Sequence, residues 1–274
     1  MKSNIHFIAS MLVLFWLQPL HSKKISYIIS QHKDDRAIPL SMVKDSVDDM
    51  YSGCTQAMQK VAHKYFDREN KGVFQRVWKK AEKCTKRNMN HKEDGALTKE
   101  HLQAICVYTT GFQRFHDLFN AAVRTNRSEY STSFPFHSLH FWLTSAIQIL
   151  NNNKHCLESY RRSNSVFTGK VNQVIRFGFF ASTSKSTKLT RFGTETCFKI
   201  KTCHGAYLKK YPTLKDHEKE VLIPPYEMFM ISQIGKKRLG NLSQCKTIYV
   251  LESVGYWSNL NCKAAKLDQS VSRL

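Results

Sequence analysis

The segment Asp216-His217-Glu218-Lys219-Glu220-Val221-Leu222-Ile223-Pro224-Pro225 places three apolar residues behind a pair of glutamates and closes on two prolines. Val221, Leu222 and Ile223 favour a strand, and a double proline cannot continue a ladder, so the strand ends there. In an extended chain, residues two apart share a face, which puts Glu218 and Glu220 on one surface. Paired carboxylates on one surface suit the stabilisation of a cationic, sugar-like transition state, or the movement of a proton beside it. The competing reading is a solvated strand edge.

Around this segment the second half of the chain has the texture of short strands and turns. Residues 165–167, 173–180, 196–202, 220–223, 227–234 and 247–254 are β-like runs separated by glycine-marked bends. No β-α-β alternation and no glycine-rich phosphate loop is present, which argues against a parallel nucleotide-binding sheet. The first half reads as helical. From Ser46 onward Val47, Met50, Cys54, Met58 and Val61 recur at steps of three and four, and Phe74, Val77, Trp78 and Ala81 continue the pattern. Residues 83–95 read as a polar loop. Thr98 caps a helix through Leu102, Ile105 and Val107, and Phe115, Leu118, Phe119 and Val123 mark another. The broadest apolar face lies in residues 134–150, and a stripe of that kind is core rather than a cofactor box. The predicted class is α+β: a helical part, 45–153, packed on an antiparallel, β-rich part, 154–262, in one domain over 45–262.

The chain has 274 residues, 42% of them hydrophobic, and 42 Lys and Arg against 21 Asp and Glu, a net charge of +21. That balance favours anionic partners, including anionic cell surfaces. No zinc-finger spacing or aromatic ribonucleoprotein motif accompanies it, so no specific nucleic-acid partner is expected. Residues 1–22 read as a signal peptide, with Lys2 at the start and an apolar core too short to span a bilayer. A basic, loosely held arm follows over 23–44, and residues 263–274 form a polar C-terminal tail. With no second apolar run, the reading is a secreted, extracellular protein without a transmembrane segment. Its eight cysteines, Cys54, Cys84, Cys106, Cys156, Cys197, Cys203, Cys245 and Cys262, then favour disulfides, with connectivity left open by counting. Asn126-Arg127-Ser128 and Asn241-Leu242-Ser243 match the N-glycosylation pattern. The twelve histidines form no metal-ligand pattern, and no metal is expected.

Three pieces of the β-rich half stand together as candidates for chemistry. Tyr160-Arg161 supplies an arginine at a strand end, whose planar fork suits phosphate. Phe180-Ala181-Ser182-Thr183-Ser184 supplies short hydroxyls that can orient a carboxylate. The third piece is Glu218-Lys219-Glu220. Each alone reads as surface charge or a polar turn.

In this order the three pieces resemble the vertebrate ecto-mono-ADP-ribosyltransferases, with their Arg, Ser, Glu-x-Glu triad. Asp48-Asp49-Met50-Tyr51-Ser52-Gly53-Cys54, His140-Phe141-Trp142-Leu143-Thr144, Ile175-Arg176-Phe177-Gly178, Arg191-Phe192-Gly193 and Asn261-Cys262 resemble further landmarks of that family, so the likeness covers about residues 45–262. It implies transfer of ADP-ribose from NAD (or NADP) to an arginine of an acceptor protein, with release of nicotinamide. NAD would be a co-substrate and arginine-bearing proteins the partners. By matching, Arg161 would hold an NAD phosphate, Ser182 would position the catalytic glutamate, Glu220 would bind the ribose and stabilise its cation, Glu218 would orient the acceptor and accept its proton, and Phe192 would stack on the nicotinamide. The resemblance also implies the bridges Cys54–Cys262 and Cys156–Cys203, the other four cysteines lying outside the family pattern. Arg162 stands where many relatives have glycine, and residues 182–192 are one residue shorter than in relatives. NAD hydrolysis on the same scaffold, and a non-enzymatic basic secreted binder, are the alternative functions.

Overall fold

A computed structural model describes residues 37–152, 155–236, 242 and 244–266. The leader of residues 1–22, the arm up to residue 36, the acceptor Asn241 and the tail beyond residue 266 lie outside the described residues. Among the described residues, five α-helices lie before the strand that starts at Leu157: α1 (Thr55–Glu69), α2 (Gly72–Asn90), α3 (Lys99–Thr109), α4 (Phe115–Thr125) and α5 (His137–Asn151). The strands are β1 (Ile38–Pro39), β2 (Leu157–Ser163), β3 (Phe167–Thr168), β4 (Val174–Arg176), β5 (Ala181–Ser184), β6 (Thr196–Thr202), β7 (Ala206–Tyr207), β8 (Glu220–Ile223), β9 (Glu227–Gly235) and β10 (Thr247–Tyr256). Eight of them form one sheet in the order β4-β9-β10-β6-β2-β5-β8-β7, antiparallel except where β10 runs beside β6. The α+β reading holds.

The helices follow their apolar spacing. On α2, Phe74, Val77, Ala81, Cys84, Thr85 and Asn88 are buried at steps of three and four. Thr98 and His101 form a reciprocal cap at the start of α3. At α5, Glu69 accepts hydrogen bonds from the His137 and Ser138 amides at 2.9 and 3.0 Å, placing a carboxylate where the helix end presents unpaired N–H groups. The helices share a core with one face of the sheet through Phe180, Ala206 and Leu222. The opposite face has its own cluster, including Ile175, Phe198, Ile223, Phe229 and Leu251.

Several sequence expectations are corrected. Residues 46–54 are not helical: Tyr51 and Gly53 have φ of 56° and 81°, and α1 begins only at Thr55. The apolar spacing there comes from a loop threaded through the core. Residues 83–90 are helix rather than polar loop, because Cys84 and Asn88 face inward onto Tyr211, where the Asn88 amide meets the Tyr211 carbonyl at 2.5 Å. The end of the arm is held: β1 pairs with β3, and Leu40 is buried. The run 173–180 breaks after Arg176, with Gly178 at φ 69°.

One buried ion pair ties the loop before α1 to the sheet and to the end of the described chain. Arg176 Nη1 lies 2.8 Å from Asp48 Oδ2, both side chains essentially without solvent exposure. Arg176 also donates to the carbonyls of Met42, Val43 and Trp257, and Asp48 Oδ1 accepts from the Asn259 and Leu260 amides. The bridge Cys54–Cys262 closes the same junction, and Cys84–Cys106, Cys156–Cys203 and Cys197–Cys245 complete a set in which every cysteine is paired. Removing one partner of a buried ion pair leaves a charge with no compensation, at a cost of about 3–5 kcal/mol. Arg176→Met is therefore expected to lower the unfolding free energy obtained from urea titration by about that amount, seen as a lower midpoint. An unchanged midpoint would show that the pair does not hold the junction.

Candidate active site

The site is built across β2, β5 and β8 and closed from above by α3 and α4. In the β5–β8 register Ser182 lies opposite Leu222 and Ser184 opposite Glu220, so Ser182 and Glu220 are diagonal neighbours on the face turned to the helices. Ser182 Oγ donates to Glu220 Oε1 at 2.7 Å. Glu220 is only 7% exposed. Burial pushes its carboxyl up from the ordinary value to about 7; the bond from Ser182 acts the other way, and the nearby Glu218 charge adds to the rise.

Arg161 is the fifth of seven residues in β2, not a strand-end residue, and β2 lies between β5 and β6 in the middle of the sheet. Its Nη1 donates to the Ser182 carbonyl at 2.6 Å, and its guanidinium lies 5.7 Å from the centre of the Phe179 ring. Desolvation holds its pKa below the usual arginine value. Among the described residues no carboxylate forms a direct ion pair with it, and Asp117, which lines the same cavity, offsets its desolvation only in part. Arg162, the next residue, borders the same cleft but is buried and held by other partners: it donates twice to the Thr187 carbonyl and reaches the sulfur of Cys245.

Glu218 does not share a strand with Glu220. β8 starts at Glu220, and Lys219 has φ 46°, so the chain turns between the two acids. Glu218 nevertheless lines the same cleft, from a loop rather than from a pleat. That loop, residues 208–219, is pinned to α2, α3 and the segment between them. Tyr211 donates to Asp94 at 2.7 Å, Lys210 pairs with Glu93 and Lys209 with Asp94, Arg87 donates to the Pro212 carbonyl at 2.7 Å, and the Thr213 amide donates to Thr109 at 3.0 Å. On the cleft side Arg191 makes a close ion pair with Glu218. Phe192, 47% exposed, ends the short turn Thr190–Phe192 and lines the cleft. Gly193, at φ 127°, presses that turn against β2, where an added Cβ would come within 2.3 Å of the Ser163 backbone.

Two adjoining cavities, of ≈ 270 and ≈ 590 Å³, meet at Arg161, Ser182, Phe192, Glu218 and Glu220. The structure thus gathers all five sequence-nominated cleft residues around one space. Asn126 lies apart, half-buried just after α4. Two contributors come from the helical half and escaped the sequence reading. Tyr108 on α3 donates to the Phe180 carbonyl at 2.5 Å and stands 3.5 Å from Ser182 Oγ. Asn120 on α4 donates to Tyr108 at 3.0 Å and accepts from the Phe180 amide at 3.2 Å. Together they fix the start of β5 and the hydroxyl that meets Glu220. Their only trace in the sequence is a polar group on an otherwise apolar helical face, which many core helices carry. Among the described residues no cluster of His, Cys, Asp and Glu could hold a metal.

The model of the NAD:arginine ADP-ribosyltransferase family matches residues 40–245. Ecto-ADP-ribosyltransferase 4 of Mus musculus is 35% identical over 244 residues, covering 84% of this chain and 77% of the relative. The erythroblast NAD(P)(+)–arginine ADP-ribosyltransferase of Gallus gallus is 29% identical over 242 residues, covering 84% and 77%. Among solved structures, a variant of the eukaryotic mono-ADP-ribosyltransferase ART2.2 in complex with NADH superposes with a TM-score of 0.67 at 28% identity, over 82% of this chain and 98% of that one. The chain belongs to the NAD:arginine ADP-ribosyltransferase family.

Proposed function

We propose that this protein transfers a single ADP-ribose from NAD to the guanidinium of an arginine on an acceptor protein, and that it works as a secreted enzyme. The observation that carries the acceptor assignment is the Arg191–Glu218 contact. The cleft's own loop already receives a guanidinium on the carboxylate nearest Glu220 in sequence. Arg191 is more than half exposed and Glu218 about a quarter, so solvent screens the pair, it is worth about 1 kcal/mol, and an incoming arginine can replace it. Closure of all eight cysteines into four bridges supports an oxidising, extracellular location, and among the described residues no helix is long and apolar enough to cross a membrane.

Arg161 supplies the charge for NAD's pyrophosphate, since a desolvated guanidinium with no carboxylate bonded to it gains most from an anionic ligand. Phe192 offers an exposed ring for the nicotinamide. Cleavage of the nicotinamide–ribose bond builds positive charge on the sugar, and Glu220, fixed by Ser182, stands ready to stabilise it. Nicotinamide departs as a neutral base, so departure needs no acid catalyst. The acceptor arginine arrives protonated, with a pKa above about 12. Its nucleophilic nitrogen becomes available as Glu218 takes the proton, giving ADP-ribosyl-arginine, nicotinamide and one proton. Without an acceptor in place, water would give ADP-ribose and nicotinamide instead.

Purified protein with labelled NAD and agmatine tests this directly: labelled ADP-ribosyl-agmatine is expected. Free ADP-ribose alone would make the protein a hydrolase, and no NAD turnover would make it a binder. Glu218→Gln is expected to suppress transfer by at least tenfold more than hydrolysis, and equal loss of both would refute the division of labour between the two glutamates.

The pH dependence follows from the state of Glu220. Its ionised form is the stabilising one, and its carboxyl titrates at about 7 in the free enzyme. The kcat/KM for NAD cleavage should therefore rise through about pH 7 and level off above it. Ser182→Ala removes the hydrogen bond that lowers this pKa, so the rising limb should move to higher pH as activity falls. A limb that stays in place would show that Ser182 does not tune Glu220.

A further inference from the structure

α2 carries a row of cations that neither the cleft nor the core uses. Arg76, Lys79, Lys80, Lys83 and Lys86 fall at helical spacing on the side away from the buried Phe74, Val77, Ala81, Cys84 and Asn88, and all five are exposed. Among the described residues none of the five takes part in an ion pair. They line one shallow groove, bordered by Glu82 and by the half-buried Phe112. From Arg76 to Lys86 the row is about 15 Å long at 1.5 Å per residue. Like charges at three- and four-residue spacing repel, so the row weakens the helix that carries it. Five cations against the single acid Glu82 is far from the interspersed signs of a face that serves solubility alone.

The geometry points to this face of α2 as a binding surface for a sulfated polysaccharide of the cell surface or matrix. A narrow, straight line of long, flexible ammonium groups fits a linear polyanion whose charges repeat along its length. The binding gains its free energy by releasing counterions condensed on that polymer. The groove's only apolar lining residue is Phe112, and Met89 is the one exposed large apolar residue of α2, so the face lacks the apolar series that anchors an amphipathic helix in a bilayer. Only the half-buried Phe112 borders it, so it lacks the series of rings on which nucleic-acid bases stack. The choice of a polysaccharide rests on the extracellular location proposed above and not on the catalytic reading. Gly111 lines the catalytic cleft while its neighbour Phe112 borders the row, so a bound chain lies beside the cleft mouth and not in it.

The test compares the protein with two triple variants that lose the same charge. One is Lys79→Ala, Lys80→Ala and Lys83→Ala; the other is Lys170→Ala, Lys263→Ala and Lys266→Ala, three exposed cations elsewhere. Affinity for a heparin fragment is measured over a salt series, alongside a DNA oligonucleotide and phosphatidylserine vesicles. The α2 variant should lose at least tenfold in heparin affinity, with the slope of log K against log salt falling by about three, near one for each cation removed. The control variant should lose less than threefold. Agmatine modification should be unchanged in both, which separates failure of this surface from failure of the catalytic reading. Equal losses in the two variants would mean that the charge acts diffusely and would overturn the assignment. Tighter, α2-dependent binding to DNA or to vesicles would overturn the choice of partner.

Discussion

The hydrogen bond from Ser182 to Glu220 is the contact on which the rest of the site depends. It joins two neighbouring strands on the face that the helices cover, and it is the strongest influence holding down the pKa of a carboxyl that burial drives up. Everything around it acts to keep that geometry. Tyr108 and Asn120 reach down from α3 and α4 to hold the backbone at Phe180, and Leu222 anchors the same face of β8 in the helical core. Ionising a carboxyl in such a place is unfavourable for the fold and useful for chemistry. A desolvated, preoriented charge acts on a sugar cation far more strongly than the same charge in water.

The two glutamates that look alike in the sequence are held by different means. Glu220 is a strand residue whose direction is set by pairing and by the core. Glu218 is a loop residue, reoriented by the left-handed turn at Lys219 and fixed at a distance by the clamp of Tyr211, Arg87 and Asn88 against α2 and α3. A fixed carboxylate for the sugar and a more exposed one for the acceptor answer two different needs. The sugar cation must meet charge already in place. The acceptor must enter from solvent and displace Arg191.

Legibility in the sequence follows from how local each cause is. Val221-Leu222-Ile223-Pro224-Pro225 announces its strand because β-branching and proline act on their own residues, and β8 ends at Ile223 as read. The ordered set of Arg161, Ser182 and Glu218-x-Glu220 was legible as a site only by its resemblance to a family, since each member alone is an ordinary polar residue. The turn at Lys219 was not legible, because a lysine at positive φ is imposed by the tertiary clamp and not by its own preference. Residues 83–90 read as loop because their polarity belongs to two faces at once. Lys86 faces solvent, while Cys84 and Asn88 face a bridge and a carbonyl. The loop at 46–54 mimicked a helix because its apolar residues are buried by threading and not by periodicity. Tyr108 and Asn120 join the site from more than fifty residues away in sequence, and only the packing of helix on sheet brings them there.

The central claim is that the fold holds Glu220 as a desolvated carboxylate tuned by Ser182. The most direct test is the titration of its side-chain carboxyl by carbon NMR in the free protein, assigned by comparison with Glu220→Gln. The account predicts a midpoint near pH 7, moving upward in Ser182→Ala. A midpoint near 4.5, unmoved by the serine substitution, would contradict it.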